Sequence, residues 1–392
     1  MELKKLIMKN SIKPWKLNDS NFTFFDRIKI CKFFLNPKNF WTMNKQVALF
    51  EEKKAEYIGS KYAIFVSSGS TANTILAMYL KDHQEKNKTK IIFPSTTWTT
   101  SISPFIREGF EPIFIDISLS NFCIDLDKLE DYLNLNSNDI CCIFVTSLIG
   151  FVPDIARLHN ISKKYNVKIM MDNCENTFGQ YGNKNVSSFF TSTNSTYFGH
   201  QIQSVEGGFI FTNSEEEYDY FLMLRNHGMT RSLKNREKYL NKDVDPRFDF
   251  YCLGNNFRNN DINAFIGLLD FKRINKLKKR REELFILFSK TVKNFNYYIG
   301  DIMIHSPFCL PILCSSKEQK DIIFNFCEQN KIETRPIISG NILKQTCYKK
   351  YSNPEVFNNS NYLHNNCFYV GLHYNVKSHQ VLKLANFINQ IQ

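Results

Sequence analysis

The stretch V-K-I-M-M-D-N-C-E, Val167 to Glu175, decides the fold. Apart from Lys168, the residues before Asp172 are all apolar, with no polar-apolar alternation, so the run reads as a strand covered on both faces, the habit of a parallel sheet. Polar residues begin abruptly at Asp172, and open parallel sheets collect ligands where their strands end. Working outward, similar runs span Ala63 to Val66, Ile91 to Phe93, Pro112 to Ile117, Ile140 to Val145 and Gly208 to Phe211. Helical patterns separate them from about Trp41 to Asn260, which predicts an α/β sheet flanked by helices.

Beyond this lies a long helical pattern from about Asp261 to Phe295. It leads to a strand-like run from Phe308 to Leu313, an amphipathic segment from Lys317 to Asn330 and a last helix from about Ser378 to Ile391. These predict a smaller α+β domain, with the division placed at 1–265 and 266–392. No repeat or low-complexity linker marks that boundary.

A chain of 392 residues with 43% hydrophobic and 22% charged residues is an ordinary globular composition. The 36 phenylalanines fall inside strand-like and helix-like runs and read as core. No run reaches the roughly 18 apolar residues of a membrane span, and the stretch from Met1 to Lys16 lacks a signal peptide's apolar centre, so a cytoplasmic enzyme is expected. The 11 cysteines are scattered without a C-x-x-C pair, which points to reduced thiols instead of disulfides or a metal site. A net charge of +12 suits an anionic small substrate. A nucleic-acid role is not expected, because the basic residues are spread out. The densest run, Lys276 to Arg281, interleaves with Leu277 and Leu284 and reads as the wet face of one helix.

Several polar segments sit where strands end. In V-S-S-G-S-T-A-N, Val66 to Asn73, a glycine turn opens a helix, and the backbone N–H groups near Gly69 with the Ser70 and Thr71 hydroxyls could cradle an anion or simply cap the helix. In F-P-S-T-T-W-T-T, Phe93 to Thr100, Trp98 offers either a core aromatic or a flat ring for stacking. Asp172 is either a helix cap or a carboxylate presented to a ligand. S-T-Y-F-G-H-Q-I-Q-S-V-E-G-G, Ser195 to Gly208, contains His200, either an acid/base group or a satisfied core histidine. Farther on come R-N-H-G-M-T-R, Arg225 to Arg231, L-G-N-N-F-R, Leu253 to Arg258, and I-E-T-R-P-I-I-S-G-N, Ile332 to Asn341. Arg335 in the last could grip a carboxylate or phosphate bidentately.

From about Thr42 to its end the chain resembles the DegT/DnrJ/EryC1/StrS family of sugar aminotransferases. The resemblance implies an aspartate aminotransferase-like fold of type I, with a mainly parallel seven-stranded sheet, and pyridoxal 5'-phosphate or pyridoxamine 5'-phosphate as cofactor. It assigns Gly69, Ser70, Thr71 and Ser195 to the cofactor phosphate, Trp98 to stacking on the pyridine and Asp172 to the pyridine nitrogen. Glu175 would line the sugar pocket or orient His200. Asn256 would reach the phosphate held by the neighbouring subunit of a homodimer with shared active sites. His227, Arg231, Arg258 and Arg335 become substrate contacts.

His200 occupies the place of the family's Schiff-base lysine, so the cofactor loses its covalent tether but keeps an acid/base, with an ordinary pKa near 6.5 suited to both roles. A branch of the family with this exchange removes the C3 hydroxyl of a nucleotide-linked 4-keto-6-deoxyhexose, here expected to carry GDP, with L-glutamate as amino donor. A sister branch needs an iron-sulfur cluster, but no cysteine stands between Arg231 and Asp249, so none is expected. A nucleotide-sugar 4-aminotransferase whose base has moved elsewhere, and a relative without activity, are the alternatives. Asn44, Gly199 and Gln201 depart from the family's usual glycine after T-M, its residue before the histidine and its His-His pair. They bear on substrate preference more than on reaction type.

Overall fold

The computed structural model describes residues 14–293 and 305–391. Its centre is a seven-stranded sheet of β1 (Tyr62–Val66), β2 (Lys90–Pro94), β3 (Glu111–Ile115), β4 (Ile140–Thr146), β5 (Lys168–Asp172), β8 (Thr191–Ser195) and β9 (Gly208–Thr212). The order is β1-β9-β8-β5-β4-β2-β3. β9 pairs antiparallel with both neighbours, and every other pairing is parallel. Thr146, Asp172 and Thr193 stand side by side in register. The ends of β1, β2, β4, β5 and β8 and the start of β9 therefore share one edge. A small hairpin of β6 (Gln180–Tyr181) and β7 (Lys184–Asn185) lies between β5 and β8 in sequence.

Alternate strand residues serve two apolar layers. Ile64, Val66, Phe93, Phe144 and Met170 pack on Ala72, Leu76 and Phe221 of the helices Gly69–His83 and Glu215–Arg225. On the other face Ile92, Ile143 and Met171 meet Leu129 and Leu158, while Phe65 and Phe209 meet Phe50 and Ala264. Each large apolar side chain so covered contributes roughly 1.5–3 kcal/mol.

β8 was not expected. Its sequence, T-S-T-N-S, carries no apolar residue, yet its last four positions are buried. Hydrogen bonds replace hydrophobicity: Ser192 Oγ donates to Ser187 O at 2.8 Å, Thr193 Oγ1 to Asn73 Oδ1 at 2.7 Å and Asn194 Nδ2 to Asn173 O at 2.7 Å.

The second sheet has the order β10-β12-β11, from β10 (Cys309–Leu313), β11 (Thr334–Arg335) and β12 (Cys367–Gly371), all antiparallel. Trp15 joins it from far away in sequence. Its backbone pairs with Lys331 and Glu333, and Nε1 donates to Gly371 O at 2.8 Å. The helices Lys317–Gln329 and Ser378–Gln390 follow the expected spans closely.

The long helix expected from Asp261 is two helices, Asp261–Phe271 and Ile274–Thr291, and Phe295 lies outside the described residues. The division placed after residue 265 falls within the first of them. Between the two, Arg273 donates to Asp26 Oδ2 at 2.8 Å and pairs with Asp270 at 3.2 Å. Arg281 is not on a wet face. It is buried and donates to Phe308 O at 3.0 Å. No described helix is long and apolar enough to cross a membrane.

Candidate active site

At the shared edge of the large sheet opens a cavity of about 420 Å³, within the range that encloses a small ligand. Gly69, Ser70, Trp98, Asp172, Glu175, Ser195, His200 and Arg335 all line it. A larger cleft of about 570 Å³, near Gly59, Asn213 and Lys278, contains none of the expected residues and no such convergence of chemistry.

Each wall follows from its local fold. β1 ends at Val66, and Ser68 then caps the helix Gly69–His83: its hydroxyl accepts Thr71 N–H at 3.1 Å while Thr71 Oγ1 accepts Ser68 N–H at 2.9 Å. The Thr71 hydroxyl is thus engaged in the capping box, and Thr71 is not among the cavity's lining residues. The N–H groups of Gly69 and Ser70, in the first turn, have no acceptor within the helix. A Cβ on Gly69 would come within 2.7 Å of Cys174 Sγ and 3.1 Å of Ser195 Cβ, so only glycine lets this turn approach the ends of β5 and β8. Ser70 Oγ donates to Thr100 Oγ1 at 2.9 Å.

Asp172 is buried at the end of β5. Its Oδ2 accepts from Asn73 Nδ2 at 2.8 Å and Ser101 Oγ at 2.6 Å, and its Oδ1 accepts Cys174 N–H at 3.0 Å. Charge-assisted bonds of this kind fix the carboxylate's orientation. Trp98 remains 45% exposed, and the Arg335 guanidinium lies 5.7 Å from its ring centre. Glu175 is enclosed more deeply. Its Oε2 accepts the N–H of Ile149 at 2.7 Å, and burial, helped by Asp172 and opposed by that N–H and by Arg335, pushes its pKa up to about 8. Burial thus favours the protonated carboxyl over the carboxylate.

His200 follows β8 on a turn whose N–H donates to Tyr197 O at 2.8 Å. Its ring leans on Phe308, 5.5 Å away between centres, and Nδ1 is buried without a hydrogen-bond partner. Burial brings its pKa down to about 4. Asp172 opposes that fall, and Arg281 and Arg335 add to it. The imidazole is thus neutral, with an open lone pair or N–H, instead of poised at the ordinary histidine value.

His227, Arg231, Asn256 and Arg258 do not line the cavity. His227 adopts a left-handed φ of 62°, Arg231 is exposed, and Arg258 Nε donates to the exposed Asn256 Oδ1 at 3.0 Å. Beside them Phe248, Phe250, Tyr251 and Leu253 stand uncovered, Leu253 at 92% exposure. Cavity residues not foreseen include Ser101, Tyr197, Phe308 and Tyr369. Asn73 could have been found, since it lies one helical turn past Gly69 on the same face. His373, two residues past β12, is tied through Nε2 to Lys16 O at 3.0 Å, a structural bond. All eleven cysteines are free of disulfides, and no cluster of metal-ligating side chains occurs among the described residues.

The DegT/DnrJ/EryC1/StrS aminotransferase family matches residues 31–389, and the chain belongs to that family. It is 28% identical over 369 residues to a GDP-4-keto-6-deoxy-D-mannose 3-dehydratase of Yersinia pseudotuberculosis, covering 90% of this chain and 93% of that protein. It is 29% identical over 366 residues to the enzyme of the same name from Escherichia coli O55:H7, covering 86% and 90%. A crystal structure of GDP-4-keto-6-deoxymannose-3-dehydratase with a trapped PLP-glutamate geminal diamine superposes with a TM-score of 0.86 at 27% identity, over 95% of this chain and 100% of that one. The fold is that of the type I pyridoxal-phosphate enzymes.

Proposed function

We propose that this member of the DegT/DnrJ/EryC1/StrS family is a pyridoxal-phosphate-dependent dehydratase. Its substrate is a GDP-linked 4-keto-6-deoxyhexose, which loses its C3 hydroxyl, and glutamate is the amino donor. The observation that carries the reading is the convergence of His200, Asp172, Trp98 and the Gly69–Ser70 turn in one cavity, with no lysine among the described residues that line it.

The residues fit the cofactor. Gly69 and Ser70 N–H groups with Ser195 Oγ would hold its phosphate, the bonded carboxylate of Asp172 would face its pyridine nitrogen, and Trp98 would cover its ring. When bound, the cofactor supplies an electron sink for the carbon next to its amine. His200, neutral and partnerless at Nδ1, accepts a proton from the amino donor's α-carbon and returns it to the cofactor's C4′. With sugar present the imidazole would take that C4′ proton again, and the C3 hydroxyl would depart with a proton as water. Glu175, whose burial favours the protonated carboxyl, lines the same cavity and would serve as a hydrogen-bond donor, and Arg335 offers a cation to the anionic substrate. A lysine would add an amine able to reprotonate the sugar at C4. Imidazole leaves the elimination outcome.

The names of the relatives support GDP as the nucleotide, and the trapped glutamate adduct in the neighbouring structure supports the donor. The uncovered apolar residues from Phe248 to Leu253, next to Asn256, support a homodimer in which Asn256 completes the partner's site. The test is product analysis: purified protein, pyridoxal phosphate, glutamate and a panel of nucleotide 4-keto-6-deoxy sugars. A 3-deoxy-4-keto sugar and ammonia are expected, without iron or a reductase. A 4-amino sugar would make it an aminotransferase, and an unchanged panel would remove the enzymatic reading.

A further inference from the structure

We propose that Gln201 is the positioning residue of His200. Its carboxamide clamps the backbone next to the imidazole to the loop after Asp172 on one side and to the segment Ser306 to Phe308 on the other. The inference rests on the reading of His200 as the proton-transferring group.

Gln201 is completely buried, and its side chain does not line the cavity. Its Oε1 accepts the N–H of Thr177 at 2.7 Å, and its Nε2 donates to Ser306 O at 2.8 Å and Ser306 Oγ at 2.7 Å. The carboxamide thus makes three of the four hydrogen bonds open to it. Ser306 is fixed in turn. Its N–H donates to Gly150 O at 2.8 Å, its hydroxyl accepts Phe178 N–H at 3.1 Å, and two residues on, Phe308 N–H donates to Ile149 O at 3.1 Å. Gly150, at a φ of 89°, admits this approach because a Cβ there would fall 1.8 Å from Ser306 O. Ile149 offers its own N–H to Glu175, and Arg281 holds Phe308 O. A closed circuit thus runs from Gln201 through Ser306, Gly150 and Ile149 to Glu175.

The imidazole has no comparable anchor. Nδ1 lacks a partner, so the ring is placed by its backbone and by the rings of Phe308 and Tyr197. Gln201 governs the first two at once, being joined to His200 through one peptide bond and to Phe308 through Ser306. A displacement of about 1 Å in a reacting group costs on the order of 10²-fold in rate.

The decisive variant is Gln201→Leu, close in size but without the three bonds. Three quantities are read in the holoenzyme and the free protein: pyridoxal-phosphate affinity, the rate of the glutamate half-reaction by absorbance, and the NMR titration of the His200 ring, assigned by its loss in His200→Asn. Asp172, Arg281 and Arg335 are the charged groups that face this ring. Affinity should stay within about threefold, the half-reaction should slow roughly 10²-fold, and the His200 titration should move up toward the ordinary histidine value. An unchanged rate and titration would overturn the proposal, as would a rate loss matched by an equal loss of affinity. Should Gln201→Leu not fold, Ser306→Ala removes one of the two acceptors and should give a smaller change in the same direction, whereas no change would equally overturn it. The titration needs no sugar, so a wild-type protein that fails to dehydrate any sugar refutes the reaction and leaves this test standing.

Discussion

Asn73 donates a hydrogen bond of 2.8 Å to Asp172 Oδ2, joining the first helix after β1 to the carboxylate at the end of β5 across 99 residues of sequence. The same amide's oxygen accepts from Thr193 Oγ1 at 2.7 Å. One side chain therefore aims the carboxylate and satisfies the polar strand β8.

Replacing Asn73 with Ala removes a buried bond to an ionised group and strands Thr193. A loss of about 1.5–3 kcal/mol is expected, read from urea unfolding. Cofactor affinity should fall as well, because the carboxylate is left to Ser101 and Cys174. Unchanged stability and affinity together would show that Asp172 is oriented by other means.

Without a lysine at position 200, the cofactor is expected to bind noncovalently. After borohydride treatment it should be released on denaturation, with no phosphopyridoxyl-lysine in a digest. His200→Asn should slow both half-reactions by at least roughly 10²-fold, the usual cost of losing an acid/base. His200→Lys should restore the covalent link. Dehydration by His200→Asn at the native rate would assign the base elsewhere.

The two shifted groups make stability of the free protein depend on pH in opposite ways. His200, lowered from 6.5 to about 4 in the fold, stabilises above its unfolded value, and that contribution is lost as pH falls from about 6.5 through about 4. Glu175, raised from 4.5 to about 8, contributes stability below about 4.5 that is lost as pH rises through about 8. Urea midpoints measured against pH should therefore flatten on the alkaline side in Glu175→Gln and on the acid side in His200→Asn. Profiles parallel to wild type in both variants would show that neither shift exists.

If Asn256 completes the partner's site, mixing His200→Asn subunits with Asn256→Ala subunits should restore activity. One site of each heterodimer carries both lesions and the other carries neither, so recovery should approach about half of one native dimer's activity per heterodimer. A mixture that stays inactive after demonstrated subunit exchange would sever Asn256 from the neighbouring site.

The parallel sheet was readable because β1, β2, β4 and β5 are apolar on both faces, and the edge where Asp172 and Trp98 emerge followed from it. β8 was not, because its burial rests on partners such as Ser187 and Asn173 that a local window does not reveal. Arg281 misled for a similar reason: five basic residues in six look like a wetted face, but Phe308 O lies in its path. His200 was found by its place in a motif. Its low pKa was not, since burial and Arg335 act through space. His227, Arg231 and Asn256 are legible as motifs, yet none of them lines the cavity.

Trp15 and Gly371, bonded at 2.8 Å, lie 356 residues apart. A ribosome releases the first long before the second, so throughout synthesis the indole has no seat. Docking of Trp15 on the small sheet therefore waits until Gly371 has been made, and a contact so distant in sequence is slow to form and leaves the indole open to competing association meanwhile. Overexpression at low temperature, which slows off-pathway contacts, should favour recovery of chains with this strap correctly docked.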